Sequence, residues 1–598
     1  MSVTPISINE RLHSVRNEMR SQKLDAFIIP RADEYLGEYV PAHNERLLWA
    51  TDFTGSAGAA IILKHSAAIF TDGRYTVQVR QQVDADQFDF ESLYDTPQIS
   101  YLVKKLKAGS RVGVDAKLHT YEWFKNAEAE LTKAEITLVS INNNPVDVCW
   151  QSRPMAPTSP IVLFSDDRAG QTSQDKRNLI AEKVKQPGAD LALVTALDSI
   201  CWLLNIRGAD VPRLPVVLST ALIDTQGRVK LFVDLNKLPD NIEQHVGQGV
   251  TFFADTELAN HLAQLVGKKL LADPTASNAW IQLTAQKNNA VLIAGDDPIA
   301  LLKAQKNSTE LNGFRDCHVR DGLAVSRFLA WLDKEVQQNR LYDEGQLAEK
   351  LESFRKHDPL YQQPSFDTIS AVGGNAAMCH YNHNNGTPAV MPMNSLYLVD
   401  SGAQYLDGTT DITRTVAIGK VTAEQKQMFT LVLKGHIALD SAKFPKGTTG
   451  QQLDPLARQY LWQYGYDYDH GTGHGVGHYL SVHEGPQRVG KNSNAVPLLE
   501  GMVISNEPGY YRANEFGIRI ENLVAVTRCT TLFQPERETL KFEALTLAPI
   551  DARLLDISLM TETEIQWLNQ YHKQVEDALS PSLTGEDLAW LQQATATI

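Results

Sequence analysis

Four histidines, His470, His474, His478 and His483, fall within fourteen positions of a chain that has 16 in all. They lie in His470-Gly471-Thr472-Gly473-His474-Gly475-Val476-Gly477-His478, followed by His483-Glu484-Gly485-Pro486. Interleaved glycines allow positive φ and a close approach of backbone to ligand, so the segment reads as a site rather than a solvated turn. Carboxylates stand on both sides of it. Asp400 ends the apolar run Tyr397-Leu398-Val399, Asp407-Gly408 is a turn signal, and the chain returns through Asp411 into Ile412-Thr413-Arg414. A hairpin return would bring Asp400 and Asp411 together, although aspartate beside a turn is by itself ordinary turn chemistry. Glu507 follows Val503-Ile504-Ser505-Asn506 and precedes Pro508-Gly509-Tyr510-Tyr511, and Glu521 lies in Gly517-Ile518-Arg519-Ile520-Glu521-Asn522. Alternation along a strand over 518–526 sets Arg519 and Glu521 on one face, a pattern that fits a surface ion pair as well as a site.

An ionised carboxylate beside buried strand residues is costly unless it is paired or bound to metal. Four carboxylates neutralise two divalent cations, and oxygen-rich ligation with a single nitrogen suits Mn²⁺, Co²⁺ or Zn²⁺. Two such ions, roughly 3.5–4 Å apart, can share a hydroxide and polarise a carbonyl.

In this order of residues the chain resembles the pita-bread metallopeptidases, the family of aminopeptidase P, prolidase and methionine aminopeptidase. The resemblance rests on Val399-Asp400-Ser401-Gly402, Asp411-Ile412-Thr413-Arg414-Thr415, Gly473-His474-Gly475, Asn506-Glu507-Pro508-Gly509 and Arg519-Ile520-Glu521-Asn522. The longer histidine segment, Thr71-Asp72-Gly73-Arg74-Tyr75 and Ala548-Pro549-Ile550-Asp551 resemble the three-domain, cytosolic type of aminopeptidase P within it. That resemblance implies two metal ions, most often Mn²⁺, with Asp400 and Asp411 on one, and Asp411, His474, Glu507 and Glu521 on the other. It implies an attacking hydroxide held between the metals, with Glu507 taking its proton. His380, His470 and His483 would bind the scissile carbonyl and move protons to the leaving nitrogen, and Arg519 would orient a metal carboxylate. The substrate would be a peptide with proline in second position, and the enzyme a homodimer. Tyr510, Tyr511 and His483 are candidates to line the proline pocket. His380, in Ala377-Met378-Cys379-His380-Tyr381, would read as a packed histidine without the resemblance, and His436 and His478 are left structural. The rival readings are prolidase, which takes only dipeptides, and a peptide- or histone-binding protein on a dead fold, which would have lost metal ligands.

The elements that must hold these residues change in character along the chain. A helical pattern over 8–23 leads into Asp25-Ala26-Phe27-Ile28-Ile29-Pro30, and about 165 residues later the order recurs, with a helix over 176–185 before Ala189-Asp190-Leu191-Ala192-Leu193-Val194-Thr195. Short apolar strands alternating with helices predict two related α/β domains, 1–156 and 157–306. From 307 to 598 the pattern is mixed α+β with antiparallel strands at 396–400, 412–418, 502–507 and 518–526. Val325, Phe328, Leu329, Leu332 and Val336 form a helical stripe. Capping boxes open helices at Thr422/Gln425, Thr449/Gln452 and Thr561/Glu564, and Gly465 closes the second of them. The patterns thus predict two α/β domains followed by an α+β domain, which the resemblance implies is a pita-bread catalytic domain with a C-terminal extension.

A chain of 598 residues is too long for one core, which agrees with several domains. The net charge of −15 argues against a nucleic-acid surface, which needs a basic stripe. Cys149, Cys201, Cys317, Cys379 and Cys529 are odd in number and scattered, which predicts reduced thiols rather than a disulfide framework. No basic-then-apolar leader is visible, and no stretch reaches the roughly 18 apolar residues of a membrane span. These features point to the cytoplasm and away from membrane.

Overall fold

The computed structural model describes residues 6–598. It divides into two compact units, one up to Asp166 and over Gln171–Ile299, the other over Asp167–Gly170 and Ala300–Ile598.

In the first unit the opening amphipathic pattern forms the helix Ile8–Ser21. Ser7 and Glu10 cap it reciprocally, and Leu12, Val15 and Met19 turn inward. The helix packs on a six-stranded sheet ordered Asp89–Ser92, Ala67–Thr71, Ala59–Leu63, Ala26–Pro30, Arg111–Val114, Thr137–Ser140. The three strands from Ala67–Thr71 to Ala26–Pro30 pair antiparallel, and the flanking strands add in parallel. A second sheet repeats this plan strand for strand: Val250–Phe253, Val229–Phe232, Thr220–Asp224, Leu191–Val194, Lys269–Ala272, Val291–Ala294. Its centre is again antiparallel and its flanks parallel. The recurrence seen in the sequence is thus a repeated topology. Asp72-Gly73-Arg74-Tyr75, which resembles a turn, is one: Asp72 caps the short turn Gly73–Tyr75 and pairs with Arg74 at 2.7 Å.

In the second unit the short helix Ala300–Ala304 is followed by the thirty-residue helix Ser308–Gln337, capped by Asn307 and Glu310, whose expected stripe from Val325 to Val336 is buried. Its strands are antiparallel throughout. Ile369–Val372, Ser395–Ser401 and Ile412–Ile418 form one small sheet, and Ala403–Tyr405 and Gly408–Thr409 fold the hairpin between the last two. A six-stranded sheet is ordered Lys443–Pro445, Thr539–Ala544, Asn522–Arg528, Val503–Asn506, Gly473–Gly475, Glu484–Val489. The helices Ala423–Asp440, Gly450–Trp462 and Glu562–Leu579 begin at the three expected threonines, and Gly465 follows the second at φ +78°.

One expected element divides. The run 518–526 is two strands: Phe516–Arg519 pairs with Gly509–Arg512, whereas Asn522–Arg528 belongs to the six-stranded sheet. The chain leaves its first partner because the Glu521 N–H donates to the Thr413 carbonyl at 3.1 Å. Simple alternation therefore does not govern Arg519 and Glu521; a change of sheet aims them both.

Candidate metal centre

The hairpin return brings the first two carboxylates together. In the ladder Asp400 faces Thr413 and Ser401 faces Ile412, which leaves Asp411 at the mouth of the same strand pair. Gly402 makes the turn possible, since a Cβ there would lie 2.0 Å from the Thr410 carbonyl oxygen. Both aspartates are buried.

His474 sits mid-strand between two glycines, and a Cβ on Gly473 would lie 2.0 Å from the Ser505 carbonyl oxygen. Its Nδ1–H donates to the Gly475 carbonyl at 2.9 Å. That bond fixes the ring and leaves Nε2 facing Asp411 Oδ2, 3.4 Å away, and Glu507 Oε1, 3.6 Å away. Glu507 and Glu521 extend from the neighbouring strands Val503–Asn506 and Asn522–Arg528, where Asn506 pairs with Asn522. The Glu507 N–H donates to the Thr472 carbonyl at 2.8 Å, and Glu521 Oε2 accepts from Thr413 Oγ1 at 2.8 Å. Ligand atoms of Asp411, His474 and Glu521 all lie within 4.8 Å of one another.

Packed this closely, Asp400, Glu507 and Glu521 resist ionisation. Burial, then Asp411, Asp400 and Glu507, pushes Glu521 well above the usual carboxylate range. Glu507 rises to about 7, through burial first and repulsion from Asp411 and Asp400 after it. Burial also raises Asp400 against the pull of Arg519. Burial would depress His474, but Asp411 and Glu507 outweigh it and push the imidazole up to about 9. An imidazole held protonated against carboxylates, and carboxylates that hold their own protons, can both give those protons up to cations bound between them. Asp400 Oδ1 is buried without a hydrogen-bond partner, as an atom reserved for a metal would be. The donor set of four carboxylates and one imidazole therefore fits two hard or borderline divalent ions.

A polar chain runs away from this cluster. Arg519 donates to Asp400 Oδ2 at 2.6 Å, to Thr413 Oγ1 at 3.2 Å and to the Tyr511 hydroxyl at 2.6 Å. The Tyr511 hydroxyl in turn donates to His470 Nε2 at 2.7 Å, and His470 Nδ1–H donates to the Gly471 carbonyl at 2.8 Å. Burial, then the Arg519 charge, holds His470 well below the usual imidazole range, so its ring is neutral. Its Nδ1 lies 4.0 Å from Glu507 Oε2. His483 stands edge-to-face on His474 with ring centroids 4.4 Å apart. His380 lies close enough for its charge to depress His470 further. All three histidines singled out in the sequence thus gather at the cluster.

Successive residues of the strand Gly509–Arg512 face opposite ways, which sets Tyr510 and Tyr511 in different surroundings. Tyr511 reaches the site, whereas Tyr510 packs against Phe516 and Tyr466, with centroids 5.9 and 5.2 Å away. Sequence reasoning gave Tyr511 to a pocket and missed its link between Arg519 and His470. The signal was present in the register, where Gly509 faces Arg519, but register is not visible in a single strand. His436 accounts for itself structurally: it is buried, its Nδ1 lies 3.1 Å from the Asn506 carbonyl, and Asn506 Nδ2 donates back to the His436 carbonyl. His478 is buried with its ring 5.7 Å from that of Phe314.

Comparison with known proteins follows the same division of the chain. Residues 312–528 match metallopeptidase family M24 and residues 538–598 the C-terminal region of peptidase M24. Residues 11–147 and 152–310 each match a creatinase/prolidase N-terminal domain. A probable Xaa-Pro aminopeptidase P of Laccaria bicolor is 40% identical over 605 residues, covering 99% of this chain and 94% of that protein. Its counterpart in Tuber melanosporum is 38% identical, with 99% and 100% covered. The crystal structure of X-prolyl aminopeptidase from Caenorhabditis elegans, described as a cytosolic enzyme with a di-nuclear active site, superposes with a TM-score of 0.95. It is 34% identical and covers 99% of this chain and 100% of its own.

Proposed function

We propose that this chain, which belongs to metallopeptidase family M24, removes the first residue of a peptide whose second residue is proline. The observation that carries this reading is the buried cluster of Asp400, Asp411, Glu507 and Glu521 around the Nε2 of His474, in a chain similar over its whole length to Xaa-Pro aminopeptidases.

Asp400, Asp411 and Glu521 would hold one metal, and Asp411, His474, Glu507 and Glu521 the other. When bound, the two cations polarise the scissile carbonyl and acidify a water between them. The chain supplies the rest. Glu507, whose Oε1 lies 3.6 Å from His474 Nε2 at the heart of the cluster, is assigned to take the proton of the attacking water. Neutral His470, with Nδ1–H on the Gly471 carbonyl and Nε2 on the Tyr511 hydroxyl, is assigned to proton relay through Tyr511, which leaves the carbonyl oxygen to the other two histidines. His483 and His380 are assigned to the substrate beside it, with Tyr511 closing that side. The departing proline nitrogen is strongly basic and must be protonated, which gives the histidines their task. Arg519 orients Asp400 by its hydrogen bond, so that the carboxylate keeps one oxygen for metal.

The oxygen-rich set with one nitrogen supports Mn²⁺ as the resident ion. A cytosolic relative supports the cytoplasm, and among the described residues no helix is long and apolar enough to cross a membrane. A homodimer is supported by exposed aromatic side chains at the end of the helix Gly450–Trp462.

A manganese-supplemented digest of three peptides, read by mass, tests the reading. An Arg-Pro-Pro tripeptide should lose its first residue, the same peptide with alanine second should react far more slowly, and a Xaa-Pro dipeptide should not be preferred. Equal rates on alanine-second peptides would indicate a general aminopeptidase, and strong preference for the dipeptide a prolidase.

A further inference from the structure

Glu344 is fully buried at the first turn of the helix Glu344–Arg355. Among the described residues it pairs with no lysine, arginine or histidine. Its two oxygens are instead filled by four donors. Oε1 accepts from the Val372 N–H at 2.9 Å and from Asn375 Nδ2 at 2.9 Å. Oε2 accepts from the Tyr381 hydroxyl at 2.7 Å and from the Ala389 N–H at 2.9 Å. Asn375 Nδ2 also donates to the Tyr381 hydroxyl at 3.1 Å.

These donors are not scattered. Val372 ends the strand Ile369–Val372 and opens a segment without long regular structure, and Ala389 lies where the chain returns. Asn375 and Tyr381 lie between them, and Tyr381 is joined to His380. One carboxylate therefore ties both ends and the middle of the loop that carries His380. The opposite side of the loop is held by the hairpin that bears Tyr511 and Arg519: a Cβ on Gly517 would lie 1.8 Å from the Ala376 carbonyl oxygen, and Gly517 faces Tyr511. Burial, with Glu344 after it, raises the Tyr381 phenol, so its proton stays on oxygen and the hydrogen bond is donated.

We infer that Glu344 is a positioning residue for His380, an anionic clamp that fixes the loop over 373–389 so that the imidazole stands beside His470. The inference rests on the reading that His380 acts on the substrate. A carboxylate is the one side chain of this size that offers only acceptors to four converging donors. Glutamine has the same shape but turns an NH₂ group toward two of them.

A double-mutant cycle tests it, with kcat, KM, melting temperature and elemental metal content measured for Glu344→Gln, Tyr381→Phe, His380→Ala and the combinations. Glu344→Gln should lower kcat by roughly 10²-fold, the cost of a misplaced catalytic group, with metal content at the wild-type level. Tyr381→Phe, which removes one donor and keeps the fold, should lower it in the same direction and less. In the His380→Ala background either change should add less than about 3-fold, because the group being positioned is gone. A full effect of Glu344→Gln in that background overturns the positioning role, and an unchanged kcat in Glu344→Gln overturns it outright. Should Glu344→Gln fail to fold, the Tyr381→Phe cycle decides by the same criterion. Wild-type kcat in His380→Ala alone is a separate result: it removes the catalytic reading of His380 and leaves Glu344 nothing to position.

Discussion

At the scale of single residues the proposed division, into groups that hold cations and groups that handle charge on the substrate, can be tested one side chain at a time. His474→Ala removes the nitrogen aimed at Asp411 and Glu507, and should abolish turnover together with at least one equivalent of metal. His470→Ala and His483→Ala should keep their metal by elemental analysis while kcat falls by about 10²–10⁴-fold, the usual loss for an acid–base group. Loss of metal in step with activity in either variant would make that residue a ligand. A second consequence concerns the metal-free protein. Glu507 is raised from 4.5 to about 7 and His474 from 6.5 to about 9. Across pH 4.5 to 9 the folded chain therefore holds more protons at these two groups than the unfolded chain, and its stability falls as pH rises. Chelator-treated protein should melt progressively lower from pH 7 to 9, above the range in which buried His119, His436 and His572, whose pKa values are lowered, give the opposite slope, and added metal should restore more stability at the alkaline end, where it displaces fewer protons. A melting curve of the metal-free protein that climbs over this range would contradict the raised pKa values. The acids and the imidazole of the cluster were legible because glycine and turn signals surround them. Tyr511 was legible only as an aromatic beside Glu507, since its partner Arg519 is set by hairpin register.

Elements explain what spacing alone could not. Asp400 and Asp411 come together through a two-strand return that the Asp407-Gly408 signal announces, and the structure folds it as the short hairpin Ala403–Tyr405 and Gly408–Thr409. Glu507 and Glu521 meet because Val503–Asn506 and Asn522–Arg528 are neighbours, a pairing no local pattern declares. The break between Phe516–Arg519 and Asn522–Arg528 escaped the sequence for a related reason. Ile518, Ile520 and the apolar residues after them keep a strand-like period straight through a change of sheet. What anchors the break is Arg414, fully buried within the strand Ile412–Ile418. It donates to the Glu521 carbonyl at 2.7 Å, to Asn522 Oδ1 at 2.9 Å, and to the Ala548 and Pro549 carbonyls at 2.8 and 3.0 Å. Every residue of that strand is buried, so alternation could not single Arg414 out. Five fixed donors on one planar group join the backbone at a metal carboxylate to the C-terminal segment, which lysine could not match with three. The Ala548-Pro549-Ile550-Asp551 motif, noted in the sequence only for its resemblance, thereby gains a physical role: it supplies two of the carbonyls that hold this guanidinium.

For the molecule as a whole, the repeated α/β plan was visible in the order of helix, strand and turn, because that plan is local; the sheet orders that make it a true repeat are long-range. Net charge bears on association. Two copies of a chain carrying −15 repel each other at a distance, so a stable homodimer must form through uncharged, apolar surface. Exposed large apolar side chains are mostly single along the chain, but Trp462, Tyr464 and Tyr466 are 46%, 45% and 38% exposed within five positions. Three aromatic rings left in water at one helix end are the kind of patch that a partner covers, and aromatic residues are the usual anchors of such interfaces. Tyr466 also packs on Tyr510, whose neighbour Tyr511 reaches His470, so this face continues into the structure that supports the site. The chain of 66.4 kDa should therefore travel as a species of twice that mass in light scattering coupled to size-exclusion chromatography, and the dimer should tighten with salt as repulsion is screened. Trp462→Glu, which adds a charge to each copy at the centre of the patch, should shift the protein to the single-chain mass without lowering its metal content. A wild-type chain that runs at 66.4 kDa at micromolar concentration in high salt would refute the dimer, and a Trp462→Glu variant that remains a dimer would move the interface elsewhere.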